Sequence, residues 1–238
     1  MPASVRRVVS LVPSLTESIA ATAPGLLAGA TDWCTHPADL DVPRVGGTKN
    51  PRVADVLDLQ PDVVIANDEE NRVADLDALR DAGAAVWVTA PTTVAEALTS
   101  LDRMLTLACR LDRPEWLDDA AAAWAEPPAA TTRNALIPIW RRPWMALGRD
   151  TFAGDVLAYL GVANVLRDHA ERYPRFDLGA LPPYDLVVLP DEPYAFGPDD
   201  GPEAFAGTES RCVSGRHLTW YGPSLAEARA VLNEQLYS

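Results

Sequence analysis

The sequence predicts an α/β protein of two lobes, each a mainly parallel sheet covered by helices, joined by a long helical connector. Three observations lead there. One strand is written twice: Asp62-Val63-Val64-Ile65-Ala66-Asn67-Asp68-Glu69 returns, about half a chain later, as Asp185-Leu186-Val187-Val188-Leu189-Pro190-Asp191-Glu192. Each copy is an apolar run opened by Asp, closed by Asp-Glu and preceded by proline, Pro61 in one case and Pro182-Pro183 in the other. Short apolar runs alternate with helically spaced segments, the pattern of parallel strands linked through helices. Residues 93–126 keep helical spacing with no strand signal. The predicted division is a first lobe over 1–92, a connector over 93–126 and a second lobe over 127–238.

In chain order, Val8–Val12 reads as a strand, followed by Pro13 and the Ser14-Leu15-Thr16-Glu17 form of a capping box opening a helix. Leu27–Thr31 is a second strand. Gly46-Gly47-Thr48-Lys49-Asn50 marks a turn. Pro51–Leu59 is a short helix with Val53, Val56, Leu57 and Gln60 at helical spacing, and Val63–Ala66 is the third strand. Asn71–Ala82 is a helix closed by Gly83, and Ala85–Thr89 the fourth strand. In the connector, Val94, Leu98, Leu101, Leu105 and Ala108 form one apolar face, which Trp116, Ala120 and Ala123 continue; Pro114 predicts a kink or break at Asp112-Arg113. The second lobe restarts with a strand over Asn134–Trp140. A helix at Thr151–Leu160 follows, ended by Gly161. Strands at Asn164–Leu166, Leu186–Leu189 and Arg211–Ser214 come next, and a helix from Ser224 to Leu236 closes the chain.

The 238 residues carry a net charge of −14, which argues against nucleic acid or an anionic membrane as partner, since both require a basic surface. The three cysteines, Cys34, Cys109 and Cys212, are widely spaced and form no Cys-x-x-Cys pair, so neither a zinc knuckle nor a disulfide framework is indicated. A reducing compartment fits this usage. No signal-peptide pattern precedes Pro13 and no stretch is long enough to span a membrane. The expected location is cytoplasmic, or periplasmic or extracellular if a signal has been trimmed.

Of seven tryptophans, Trp116 and Trp124 fall on the connector and read as packing residues. The other five, Trp33, Trp87, Trp140, Trp144 and Trp220, sit at or just past strand ends, with Tyr194, Phe196 and Tyr221 in similar places. In open α/β sheets ligands bind outside the carboxyl ends of the strands. Aromatic rings there give a flat, rigid, amphipathic surface suited to a large flat ligand. Arg141 and Arg142 beside Trp140 can meet polar or anionic parts of a ligand. Metal ligation by side chains is weakly supported: His36, His169 and His217 lack ligand spacing, and only His36 is placed to line the ligand site or touch a metal already chelated. No nucleophile elbow, P-loop or Gly-x-Gly-x-x-Gly occurs. Asp68-Glu69-Glu70 reads as a solvated strand-end loop.

Val9-Ser10-Leu11-Val12-Pro13-Ser14-Leu15-Thr16-Glu17 resembles the first strand and helix of the class III periplasmic binding proteins, the helical-backbone metal receptors. Leu59-Gln60-Pro61-Asp62-Val63-Val64-Ile65 resembles their L-x-P-D-L-V-I strand, and Gly29–Pro37 and Val45-Gly46-Gly47 fall in the right order between. The similarity is closest to the cobalamin-binding members and strongest over the first ninety residues. It implies two three-layer α/β lobes with mainly parallel sheets joined by a single long backbone helix. It further implies a non-catalytic binding protein for a corrinoid such as cobalamin, or a similar metal chelate, held in an aromatic cleft between the lobes. Trp33, Trp87 and Trp144 match the family's cobalamin-contacting aromatics, and Trp220 matches another. The chelate is ligand, not covalent cofactor. A ferric-siderophore binder and an enzyme acting on a chelate, through Asp68, Glu69 or Glu70, are the alternatives. Two departures stand out: Val73 occupies the position of the first lobe's transporter-docking acid, and Asn67 that of a cleft aromatic. Transporter docking is therefore doubtful, with Glu69 or Glu70 as the acids that a small shift would bring to that place.

Overall fold

The structure, a computed structural model, describes residues 1–238. The chain divides into two compact units: unit 1 holds residues 1–91, 98–118 and 221–223, and unit 2 holds 92–97, 119–220 and 224–238.

Unit 1 contains β1 (Val8–Ser10), α1 (Pro13–Thr22), β2 (Leu27–Ala30), a small hairpin β3 (Gly46–Gly47) and β4 (Asn50–Pro51), α2 (Val53–Asp58), β5 (Val63–Asn67), α3 (Val73–Asp81) and β6 (Val86–Thr89). Its sheet has the order β2-β1-β5-β6 and is parallel throughout. β1 and β5 are buried along their whole length, which is why they are continuous apolar runs and not alternating ones. One face packs Val9, Leu11, Val64 and Ala66 against Val56, Leu76 and Leu79 of α2 and α3. α1 lies against β1 and β2.

The Ser14–Glu17 capping box is not formed. α1 begins two residues earlier than that cap would set, at Pro13, after an uncapped Val12. Proline at the first helical position is pre-set for the helix and has no N–H to satisfy, so the start moves onto it and Ser14 becomes a helical residue. Ser14 and Glu17 are buried within the helix instead.

The connector is helical in two pieces. α4 (Val94–Arg103) continues into a π-helical turn over Met104–Ala108, where Cys109 N–H bonds Met104 O at 2.9 Å; α5 (Glu115–Ala123) follows. The predicted break at Asp112-Arg113 is present and wider than the proline alone requires. It starts at Cys109, and Arg110 takes φ 59°.

Unit 2 contains β7 (Arg133–Leu136), the antiparallel hairpin β8 (Pro138–Arg141) and β9 (Trp144–Ala146), α6 (Phe152–Tyr159), β10 (Val162–Asn164), β11 (Leu186–Pro190), β12 (Glu209–Val213), α7 (Gly215–Thr219) and α8 (Leu225–Tyr237). Its sheet, β10-β7-β11-β12, is again parallel. β1 corresponds to β7 and β5 to β11, so the doubled strand takes the same place in both sheets. The core packs Leu136, Ala146, Leu166, Val187, Leu189, Phe196 and Phe205.

Two predicted strands differ. Asn134–Trp140 is not one strand: β7 stops at Leu136, because Pro138 has no N–H to offer between two flanking strands. The chain turns out into the hairpin. The strand expected at Asn164–Leu166 is β10, two residues earlier. Gly161, at φ 76°, reverses the chain directly into it, and the Asn164 amide ends it by donating to Leu147 O and Gly148 O, both at 2.9 Å.

Candidate ligand-binding site

In unit 1 the carboxyl ends of β2, β5 and β6 lead into the candidate residues. The loop after β2 carries Trp33 and His36. Arg44 organises it: its guanidinium donates to the carbonyls of Thr31 at 2.9 Å, Cys34 at 2.8 Å and Leu40 at 3.1 Å. The Cys34 thiol lies within hydrogen-bonding distance of Thr16 Oγ1 (3.0 Å) and Thr31 Oγ1 (3.1 Å), and burial pushes its pKa up, so it is a neutral packing group. On this base Trp33 stands 67 % exposed. Its indole rests over the β3–β4 hairpin, where a Cβ on Gly47 would meet Trp33 Nε1 at 3.6 Å. His36, three residues further along the loop, is half-buried, with Thr35 Oγ1 3.2 Å from its Nδ1.

Trp87 is placed differently. It lies within β6, beside Ile65 of β5, and the Arg103 guanidinium sits 6.0 Å from its ring centroid. Tyr221 is buried, and its hydroxyl accepts from Asn67 Nδ2 at 2.6 Å and lies 2.9 Å from Thr89 Oγ1. Desolvation raises its pKa well beyond the ordinary phenol value, so it is a neutral hydroxyl. Asn67 is the hub of this end of the sheet. Its Oδ1 accepts from Glu69 N at 2.8 Å and Glu70 N at 3.1 Å, its N donates to Asn71 Oδ1 at 2.9 Å, and Asn71 in turn donates to Thr48 O at 2.9 Å. Asp68-Glu69-Glu70 is thus an Asx turn that Asn67 closes.

In unit 2 five predicted residues come together. Trp144 stacks on Phe196 (6.1 Å, 4° between planes) and meets Phe176 at 5.8 Å and Phe205 at 5.3 Å. Tyr194 touches Phe196 at 4.6 Å and takes the edge of Trp140 at 5.6 Å. Trp140 is 42 % exposed and forms the outer member. Arg141 lies over Trp144 at 5.5 Å and is bound to both Asp200 and Glu203. Two carboxylates from the loop after β11 thus hold Arg141, the side chain expected to meet polar or anionic parts of a ligand. Arg142 is exposed in the hairpin turn. Trp220 is buried, its Nε1 donating to Glu192 Oε2 at 2.9 Å. The absence of a Cβ on Gly215 lets Asp191-Glu192 approach; Asp191 Oδ1 accepts the Gly215 N–H at 2.6 Å.

Sequence reasoning missed Arg44, Tyr221's partner Thr89, the Asp200–Glu203 clamp and the rings Phe176 and Phe205. Only the last two carried a usable signal, being aromatics in loops flanking the doubled strand. No group of three or more His, Cys, Asp and Glu side chains is arranged to hold a bare metal ion. No helix is long and apolar enough to cross a membrane.

Two α/β units with parallel sheets are thus present, one gathering an aromatic cluster beyond its strand ends and the other carrying Trp33 on the loop after β2. Residues 8–182 match the model of the family described as periplasmic binding protein, and the chain belongs to that family. It is a family of solute-binding proteins, not of enzymes. The fold is shared with the periplasmic vitamin B12 binding protein BtuF of Vibrio cholerae: 18 % identity, covering 99 % of this chain and 98 % of that one, TM-score 0.74. It is shared equally with the periplasmic heme-binding protein RhuT from Roseiflexus sp. RS-1 (20 % identity, 98 % of each chain, TM-score 0.76). A third match is the CeuE protein of Helicobacter pylori with bound Ni(II) (12 % identity, 100 % of this chain and 85 % of that one, TM-score 0.78). No curated protein matches the chain. The expectation of a cytoplasmic location finds no support here, because the family is described as periplasmic.

Proposed function

We propose that this protein binds, without turning it over, a corrinoid or a similar flat metal chelate through the aromatic side chains at the carboxyl ends of its two sheets. The observation that carries the reading is Trp33, a large ring held 67 % exposed on a loop that Arg44 fixes from beneath. An aromatic kept in water by a rigid loop has little entropy left to lose on meeting a flat apolar ligand. Trp140 and Tyr194 offer a second such edge on unit 2. Membership of a solute-binding family and a fold shared with proteins named for vitamin B12 and heme support the same class of ligand. His36, on the same loop as Trp33, is the side chain we assign to touch a chelated metal. Family membership also supports a place of work outside the cytoplasm, which fractionation of cells carrying the protein checks. Delivery to a transporter is not part of the proposal, since Val73, an apolar residue 69 % exposed, stands where the docking acid was expected.

Titration of the purified protein with cyanocobalamin, followed by tryptophan fluorescence and visible absorbance, tests the reading. Quenching that saturates at micromolar ligand, with the chelate recovered unaltered, is the expected result. Binding of ferric siderophores but no tetrapyrrole would move the ligand to the siderophore class. Chemically altered chelate would sink the non-catalytic reading.

A further inference from the structure

The aromatic edge of unit 2 is built around a cation that is already neutralised. Arg141 lies over Trp144 and pairs with Asp200 and Glu203 together. Neither carboxylate is loosely held. Asp200 Oδ2 also accepts the Tyr194 hydroxyl at 2.7 Å, and its backbone pairs with Gly197 in both directions, at 3.0 and 3.1 Å. Glu203 Oε2 accepts the Gly201 N–H at 2.6 Å, and this amide and then Arg141 hold its carboxyl below the ordinary carboxylate range. Within the hairpin 138–146 and the loop 190–205 there are two arginines against five acids, Asp191, Glu192, Asp199, Asp200 and Glu203, a net charge of −3. The second arginine, Arg142, is exposed in the turn.

A ligand that presents a carboxylate here meets a field of its own sign. It can reach Arg141 only in competition with two carboxylates that already pair with it. A ligand whose arms are amides pays neither cost: it stacks on Trp140 and Tyr194 and leaves the clamp intact. We infer that the Arg141–Asp200–Glu203 clamp is a charge filter, admitting metal chelates with neutral or cationic peripheries and rejecting those edged with carboxylates. This selectivity works through repulsion as much as attraction. It rests on the reading that the unit 2 aromatics hold the ligand, and it narrows that reading to amide-armed chelates over propionate-bearing ones.

Three probes on the unaltered protein test it: cyanocobalamin, cyanocobalamin with one side-chain amide hydrolysed to the acid, and hemin, which carries two propionates. The acid form is expected to bind at least about tenfold more weakly than the amide, as the juxtaposition of like charges would give. Hemin should be weaker still, and both gaps should narrow as salt rises. In Asp200→Asn/Glu203→Gln the clamp lets go of Arg141, and the amide-to-acid affinity ratio should fall towards one. Reading a ratio keeps a partial folding defect, which weakens both probes alike, from deciding the outcome. Equal affinity for amide and acid forms in the unaltered protein, or hemin bound more tightly than cyanocobalamin, overturns the filter and leaves chelate binding standing. Failure to bind any of the three overturns both.

Discussion

β5 and β11 open in the same way and close in different ways. At the opening, Asp62 Oδ2 accepts the backbone N–H of Arg6 and Arg7 at 2.7 and 3.0 Å, while its own N–H bonds Arg7 O at 2.8 Å. Asp185 repeats this towards β7, with Asn134 N on its carboxylate at 3.2 Å and its own N–H on Asn134 O at 2.9 Å. Both ladders also run one residue past the strand, Asp68 N to Thr89 O and Asp191 N to Val213 O, each at 3.1 Å. Then the sheets diverge. Asn67 gathers a polar network that ends on Tyr221, whereas its counterpart Pro190 leads into a loop fixed by stacked rings and the Arg141 clamp. What recurs is what a parallel sheet needs to align its strands. What differs is what each unit offers to a ligand.

That contrast can be broken by unequal mutations. The largest effect is expected from Trp144→Ala, which removes the ring that Phe176, Phe196 and Phe205 pack around; unit 2 should lose about 4 kcal/mol, read as a shift of its denaturant midpoint. A loss below about 1 kcal/mol would mean the rings close over the gap and the aromatic cluster is no anchor. Next is Asn67→Ala. It leaves the Tyr221 hydroxyl with Thr89 and frees the Glu69 and Glu70 amides, with an expected cost of about 3 kcal/mol. Pro190→Ala, at the matching place, should stay within about 1 kcal/mol. If the two substitutions cost the same, polar anchoring is not what distinguishes unit 1.

How much of this was open to reading varies with the range of the interaction. The buried strands were legible because β5 and β11 are apolar on both faces, and Gly83 and Gly161 showed the helix ends because only φ above zero fits there, 88° and 76°. The cluster of Trp140, Trp144, Tyr194 and Phe196 was legible as aromatics beyond strand ends. What hid were contacts joining distant residues with no local pattern. Tyr221 meets Asn67 154 positions away, and Glu203 meets Arg141 62 positions away. The π-helical turn at Met104–Ala108 keeps the apolar spacing of an ordinary helix, so nothing in the sequence set it apart.

A smaller effect tests whether the shared strand openings matter equally. Arg133 donates to Asp185 at 2.8 Å and holds its carboxyl below the ordinary aspartate range, helped by the Asn134 amide. A depressed pKa stabilises the folded state above the unfolded carboxylate value, and that share is lost as pH falls through the lowered folded value. Asp185→Asn should therefore cost unit 2 less than about 1 kcal/mol near neutrality, since the pair is half-exposed. The variant should also lose less further stability than the parent between about pH 5 and pH 2. Identical acid profiles would remove Asp185 from the account of acid sensitivity.

The smallest stability effect belongs to Trp33, and its smallness is the point. A ring 67 % exposed contributes little core, so Trp33→Ala should change the unfolding free energy by no more than about 0.5 kcal/mol. The same substitution removes the stacking surface on which unit 1 is proposed to receive its ligand, so cyanocobalamin affinity should fall about tenfold or more, together with much of the quenching. Trp144→Ala would show the opposite balance, a large loss of stability with any loss of binding following from it. If Trp33→Ala destabilised unit 1 as Trp144→Ala does unit 2, Trp33 would be a packing residue, and the ligand surface would have to be sought on the unit 2 edge alone. If it moved neither stability nor affinity, the exposed ring would have no part in holding the chelate. Only a loss of affinity without a loss of stability separates a side chain kept for a ligand from one kept for the fold.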